Sequence, residues 1–167
     1  MTPLLPNRVK ARLQTEIIGR TIHYFRSLPS TNDIAKELAK KGAKEGTVIV
    51  ADTQTRGRGR LRRRWISPRG GLWFSIILRP RVSPRDAPKL TLMTSVAVAK
   101  TINKLFDLET EIKGPNDVLV NGKKICGTLT ETSTKRDTLD FAVVGVGVNA
   151  NFSVHDFPKN LQVSSTT

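Results

Sequence analysis

The chain has few of the residues that build disulfide-rich or His/Cys metal-binding proteins. Its 167 residues include one cysteine, Cys126, and two histidines, His23 and His155. A single cysteine excludes an intramolecular disulfide and suits a reducing compartment. With so few histidine and cysteine ligands, we predict no metal ion held by these two residue types.

Long hydrophobic runs are also missing. No stretch of about 18 apolar residues exists that could form a transmembrane helix. The first sixteen residues contain no apolar segment long enough for a secretory signal. We therefore expect a cytoplasmic protein without a membrane partner. The length suits one domain, expected over residues 21–167 after an N-terminal extension of residues 1–20.

Acidic residues are absent from one particular segment. Ten of the arginines lie between Thr53 and Arg85 with no aspartate or glutamate among them, so this segment carries +10 of the formal net charge of +14. Such a concentrated field indicates an anionic partner. A solvated basic surface is the more common role of a charge run, and a nucleic-acid-binding module is a third reading.

The apolar pattern predicts alternating strands and helices followed by an antiparallel meander. Residues 21–25, 47–52 and 72–78 read as strands, and residues 30–42 and 89–106 as helices. The dipeptide Asn121-Gly122 between two β-rich runs is a strong hairpin signal. We predict an α+β fold with a mixed, largely antiparallel sheet and helices packed on one face.

Three stretches contain residue types suited to binding or catalysis, and each also has a plainer interpretation. "TRGRGRLRRRW" sets glycines between arginines, and arginine grips phosphate or carboxylate through two bonds, although such strings also occur in RNA-binding tails. "KGPNDVLVNGKKICG" offers polar atoms at a turn, which by itself predicts only a turn. "VVGVGVNAN" places glycines inside a strand, where they mark a bulge or a close approach.

Taken together, these stretches resemble the biotin protein ligases in family order. The matching pieces are "STND", "ADTQTRGRGR", "RRRWISPRGGLWFSIILRP", "KGPNDVLVNGKKICGTLTE" and "VGVGVNAN", and the resemblance spans about residues 21–151, most of the chain. The resemblance implies a catalytic domain similar to class II aminoacyl-tRNA synthetases. It implies that biotin and ATP, with Mg²⁺, condense to biotinyl-5′-adenylate, which then acylates a lysine of a biotin carboxyl carrier protein. It leaves open whether the chain forms a homodimer, and we expect no specific nucleic-acid partner.

The resemblance also implies roles for individual residues. Lys124, Arg58, Arg60 and Arg63 would be catalytic, with Lys124 binding the biotin carboxylate. The biotin site would comprise Ser30, Thr31, Asn32, Gln54, Gly57, Arg58, Gly59, Arg60, Lys124, Gly127, Gly145 and Gly147. The nucleotide site would comprise Arg60, Arg63, Trp65, Asn116, Asp117 and Asn149. Leu72, Phe74 and Ile76 are candidates for the apolar wall of the biotin site or, equally, for the core.

The plainer interpretations remain beside these roles. Ser30, Thr31 and Asn32 read alone as a helix cap, and Trp65 as a packing anchor. The chain also departs from the family, because Gly114 stands where a tryptophan is usual and the family domain normally continues further, so we expect a C-terminally truncated catalytic domain. A lipoate ligase-like enzyme that forms an acyl-adenylate and an inactive biotin-binding remnant are the alternative functions.

Overall fold

A seven-stranded mixed sheet organises the protein. The computed structural model describes residues 6–162 and 164–167. The strand order is β1-β2-β3-β7-β6-β5-β4, in which β1 and β2 run parallel and every other neighbouring pair runs antiparallel. The strands are β1 Ile22–Leu28, β2 Val48–Gln54, β3 Leu72–Leu78, β4 Thr110–Lys113, β5 Asp117–Val120, β6 Lys123–Lys135 and β7 Thr138–Val148.

Within residues 6–162 and 164–167, four α-helices accompany the sheet: α1 Pro6–Lys10, α2 Thr31–Lys40, α3 Ala87–Phe106 and α4 Lys159–Gln162. The two longer ones, α2 and α3, were both predicted from sequence. Among the described residues, no helix is long and apolar enough to cross a membrane.

The α+β class and the mixed, largely antiparallel sheet are confirmed, but the helices do not share one face. Successive strand residues point to opposite faces, and β7 shows which helix lies on each. Phe141 and Val143 join the core cluster that contains the helix residues Ala35 and Ala39, whereas Val144 and Val146 join the cluster of Ala99 and Ile102. Thus α2 covers one face and α3 covers the other. Strand β7 is buried on both sides, so its sequence carries no alternation that could have revealed this.

The buried stripe of α3 differs from its apolar pattern. The sequence aligns Leu92, Val96, Ala99 and Asn103 roughly along one side of this helix, yet Leu92 is 45% exposed. Thr91 and Ser95 face the sheet instead. Thr91 donates a hydrogen bond to the hydroxyl of Thr130 of β6, and the hydroxyls of Ser95 and Thr128 share another. A hydrophobicity pattern misses this stripe because hydroxyl groups occupy positions normally held by apolar side chains.

The meander contains the hairpin that the sequence predicted. Asn121 and Gly122 both have positive φ, at 51° and 71°, as a type I′ turn requires. This turn joins β5 to β6, and the pairing of the two strands shifts register just after it, between Val118 and Leu119. The shift turns Lys124 to the same face as Gly127, near the start of β5, where Asp117 lies.

Candidate active site

The arginine loop, residues 55–66, forms the first part of the connection from β2 to β3 and folds back on itself. Trp65 donates its backbone N–H to the Gly57 carbonyl at 2.9 Å, and Gly59 donates to the Arg63 carbonyl at 2.8 Å. A Cβ at Gly57 would lie 2.6 Å from the Trp65 carbonyl oxygen, so only glycine lets the two arms of the loop approach this closely. The loop is therefore a shaped element rather than a loose tail.

Two adjoining chambers lie between this loop and the sheet, and the predicted site residues divide between them. The first chamber is lined by eleven of the twelve residues assigned to biotin, and Gly57 lies outside it. The second, larger chamber is lined by all six residues assigned to the nucleotide. The two chambers share Gly59, Arg60, Trp65, Asn116 and Lys124.

The indole of Trp65 fills much of the first chamber. A Cβ built at Gly147 would lie 2.6 Å from its Nε1, and one built at Gly127 would lie 2.9 Å from its ring. The ammonium of Lys124 lies 5.0 Å from the centre of the same ring. The chamber volume is only about 50 Å³, room for one or two water molecules, so a larger ligand requires Trp65 or Lys124 to move.

Polar side chains form a connected floor at the start of α2. The Oε1 of Gln54 accepts hydrogen bonds from the backbone N–H of Thr31 at 2.8 Å and from its hydroxyl at 3.1 Å. Gln54 donates through Nε2 to the hydroxyl of Ser67 at 2.9 Å. Gln54 therefore satisfies the helix N-terminus, while Ser30 is buried at the cap position without a capping bond from its side chain. The helix-cap interpretation of the Ser30 side chain is wrong.

Asn32 bridges β3 and β6 across the intervening strand β7. Its Oδ1 accepts from the hydroxyl of Ser75 at 2.6 Å, and its Nδ2 donates to Glu131 at 2.8 Å. A Cβ at Gly145 would lie 2.2 Å from the Asn32 Oδ1. The glycine in β7 therefore makes space for this amide. By contrast, Phe74 packs in the core cluster on the α3 face, and alternation along β3 places Leu72 and Ile76 on that face too, so these three do not wall the chamber.

Opposite charges meet where the two chambers join. The ammonium of Lys124 lies 2.6 Å from the Oδ1 of Asp117. Arg60 donates to the Oδ1 of Asn116 at 2.7 Å, and Asn116 donates to Asp117 at 2.5 Å. This chain of contacts links the arginine loop to β5 and β6, and it puts two cations at the junction of the chambers.

The backbone of Lys124 is held from two sides. The Nδ2 of Asn149 donates to the Lys124 carbonyl at 3.2 Å. The Oδ1 of Asn149 is buried without a partner among the described residues. Lys124 also pairs with the C-terminal segment, donating to the Ser164 carbonyl and accepting from the Thr166 N–H, each at 2.9 Å. Sequence reasoning missed this segment, since its polar composition carries no strand signal.

Arg58 points to a partner that the sequence did not suggest. Its two terminal nitrogens donate to Asp33 at 2.7 and 2.6 Å, and one of them lies 3.5 Å from Glu131. The hydrogen bonds from Arg58, aided by Lys36, lower the pKa of Asp33 from its ordinary 3.8 to about 2. Burial raises the pKa of Glu131, but hydrogen bonds from Lys36 and Asn32 more than offset it, so that pKa is lowered overall.

No carboxylate was among the sequence candidates except Asp117. Asp33 reads as an ordinary first-turn residue of α2, and Glu131 lies 73 residues from Arg58 in the chain, so neither has a local signal. Within the described part of the chain, no group of three or more His, Cys, Asp or Glu side chains is placed to hold a metal ion. Cys126 is fully buried, and burial raises the pKa of its thiol to about 12.

The comparisons with known proteins agree with this geometry. The model of the biotin/lipoate A/B protein ligase family matches residues 24–149. The chain belongs to this family. Its sequence is 42% identical over 165 residues to the bifunctional ligase/repressor BirA of Bacillus subtilis (strain 168), covering 98% of this chain and 51% of that protein. It is 34% identical over 145 residues to biotin–protein ligase 2 of Arabidopsis thaliana, covering 83% of this chain and 43% of that protein.

Solved structures show the same likeness. The biotin protein ligase from Aquifex aeolicus in complex with biotin and ATP matches with a TM-score of 0.70 at 33% identity, covering 88% of this chain and 59% of that one. The biotin protein ligase from Leishmania major in complex with biotinyl-5-AMP matches with a TM-score of 0.71 at 27% identity, covering 88% and 62%. The resemblance to biotin protein ligases is thus confirmed, and the chain spans about half the length of the curated relatives it matches.

Proposed function

We propose that this chain is the catalytic domain of an ATP-dependent biotin ligase, and that it works in the cytoplasm. The observation that carries this is the pair of adjoining chambers with Lys124 and Arg60 at their junction. A ligase that joins an acid to a nucleotide needs two pockets whose reacting ends meet at positive charge. The solved relatives hold biotin with ATP, or biotinyl-5-AMP, the reactants and the product of such a step.

In the first step, a carboxylate oxygen of biotin attacks the α-phosphorus of ATP. A new P–O bond forms, the bond to pyrophosphate breaks, and pyrophosphate leaves. Both reactants are anions, so the cations at the junction offset their repulsion and the charge that develops in the transition state. Lys124 would exchange its contact with Asp117 for the biotin carboxylate, while Arg60 and Arg63 would face the phosphates.

Mg²⁺ would supply further charge neutralisation on the phosphates. Magnesium commonly binds through one or two carboxylates together with substrate phosphates. Asp117 lines the nucleotide chamber and fits that role, with the amide oxygen of Asn116 beside it. We therefore assign Mg²⁺ to the bound nucleotide rather than to a separate protein cage.

In the second step, the amine of a carrier lysine attacks the acyl carbon and AMP leaves. The acyl-adenylate must be shielded from water until then, and the arginine loop covers both chambers. We propose a biotin carboxyl carrier protein as the acceptor and expect no specific nucleic-acid partner. The loop arginines Arg58 and Arg60 are engaged with Asp33 and Asn116 rather than displayed as a free basic arm.

Mass spectrometry of a carrier domain incubated with the protein, biotin and Mg-ATP tests the function directly. We expect a mass increase equal to one biotinyl group on a single lysine, dependent on ATP. An unmodified carrier, together with no biotin binding by calorimetry with or without ATP, would overturn the proposal. Biotin binding without transfer would instead indicate the inactive remnant.

The lipoate alternative belongs to the same family and needs its own experiment. Exchange of labelled pyrophosphate into ATP is measured with biotin and with lipoate under identical conditions. We expect exchange with biotin alone, because the polar floor of Ser30, Thr31 and Gln54 suits the hydrogen-bonding ureido ring of biotin. Exchange with lipoate alone would reassign the acid substrate.

A further inference from the structure

Four charged side chains form a cluster beside the first chamber, and of the four only Arg58 lines the chamber. We call it the rim cluster: Asp33 and Lys36 of α2, Arg58 of the arginine loop and Glu131 of β6. Lys36 bridges the two carboxylates, at 3.2 Å from Asp33 and 2.7 Å from Glu131. Each side chain is 28–34% exposed. Two cations balance two anions, so the cluster has no net charge.

The bond from Arg58 to Asp33 is bidentate and therefore directional. The two N–H groups of the guanidinium meet the two carboxylate oxygens at 2.7 and 2.6 Å. Such a fork fixes orientation as well as distance. It ties one side of the arginine loop to α2, whereas Arg60 ties the other side to Asn116 at the start of β5. The backbone of Gly59, between these two arginines, lines the first chamber.

The rim cluster also reaches the chamber floor through Glu131. Its Oε1 accepts from Lys36, and its Oε2 accepts from the Nδ2 of Asn32 at 2.8 Å and lies 3.5 Å from Arg58. One carboxylate thus positions both a floor residue and a loop residue. Both terminal nitrogens of Arg58 already donate to Asp33. In this state its guanidinium therefore links the loop to α2 and is not free to bind a phosphate.

We propose that Asp33 and Glu131 are positioning residues that hold the arginine loop closed over the biotin chamber through Arg58. They act on the loop and not on the reacting atoms. This inference rests on the proposed function for the identity of the ligand. Loss of the tie should weaken retention of biotin and its adenylate while leaving the nucleotide chamber, which the Arg60–Asn116 contact borders, largely intact.

Trypsin provides a readout of the loop that does not depend on ligand, because it cleaves after arginine. Replacing Asp33 by asparagine keeps the shape but removes the charge that Arg58 grips. We expect the Asp33→Asn variant to be cut within residues 56–64 about tenfold faster than the wild type. This is the change expected from losing the charge-assisted hydrogen bonds between Arg58 and Asp33. Mass spectrometry of the fragments locates the cut.

Binding measurements supply the second readout. For Asp33→Asn we expect the Kd for biotin to rise about tenfold and the KM for ATP to stay within about twofold. Arg58→Lys keeps the charge but cannot form the fork, so it should show the same loop cleavage. The double variant should be no worse than either single one, since both remove the same contact. Asp33→Glu restores a carboxylate and should recover part of the protection.

A matched control is available at the start of α3, where Asp86 directly precedes the helix. Asp86 pairs with Lys89 at 2.7 Å on an exposed surface, so Asp86→Asn makes the same chemical change away from the loop and should alter neither readout.

Wild-type cleavage and wild-type biotin affinity in Asp33→Asn would overturn the inference, as would strictly additive effects in the double variant. If the wild type binds no biotin, the proposed function fails, yet the cleavage experiment still tests the tie. Should Asp33→Asn not fold, the comparison of Arg58→Lys with wild type decides.

Discussion

The glycine at position 145 provides the sharpest test of the chamber floor. Strand β7 pairs on both sides, with Ser75 of β3 and Leu129 of β6 opposite Gly145, so the backbone there cannot shift. In Gly145→Ala, the new Cβ would lie 2.2 Å from the Oδ1 of Asn32. The amide of Asn32 must therefore leave its place.

The cost follows from the hydrogen bonds that Asn32 loses. Its bond with the Ser75 hydroxyl is a neutral one, and its bond to Glu131 is charge-assisted. Such bonds contribute about 0.5–1.5 and 1.5–3 kcal/mol respectively. With partial relaxation we expect a loss of about 2–3 kcal/mol in the free energy of unfolding. For a domain of this size that lowers Tm by about 5–10 °C, and biotin affinity should fall with it.

Thermal melts by circular dichroism and biotin titration by calorimetry measure the two effects. Gly114→Ala is the matched control, because nothing lies within 4 Å of a Cβ at that position. The control should melt at or slightly above the wild-type temperature, since alanine restricts the unfolded chain. If Gly145→Ala melts within about 1 °C of wild type and binds biotin normally, the account of a floor held by Asn32 is incorrect.

Three other predictions follow from the charges and the buried thiol. Lys124→Gln removes the junction cation that faces the biotin carboxylate, so it should slow biotin-dependent pyrophosphate exchange by about 100-fold or more. Circular dichroism should show the fold unchanged. An exchange rate within about threefold of wild type would contradict this role of Lys124. The pKa of Asp33 falls from 3.8 to about 2 on folding, so its contribution to stability is complete above pH 3.8 and is lost as the pH drops toward 2. Discounted for an exposure of 34%, this is about 1 kcal/mol, and denaturant titrations from pH 5 to 2 should show a shallower decline for Asp33→Asn than for wild type. Cys126 has a thiol pKa of about 12 because it is buried, so Ellman's reagent at pH 8 should label it only after unfolding; prompt labelling of the native protein would place it at the surface.

The sequence by itself determined the two longer helices, the strands of the sheet and the residue types at the site. Positive φ at Asn121-Gly122 is dictated by that dipeptide, and the strands of the meander follow from β-branched runs on either side. The glycine–arginine string and the Pro-Asn-Asp turn were recognised because their spacing is local. Most residues predicted from them do line the two chambers, although their roles in binding and catalysis stay predictions.

Only the tertiary structure decided how these residues are partnered. Which face each helix covers depends on side-chain direction along β7, and a strand buried on both sides has no pattern to reveal it. The capping of Thr31 by Gln54, the fork between Arg58 and Asp33, and the contact of Glu131 with Asn32 all join residues far apart in the chain. Such contacts arise when strands align in register, and no periodicity or short motif records them.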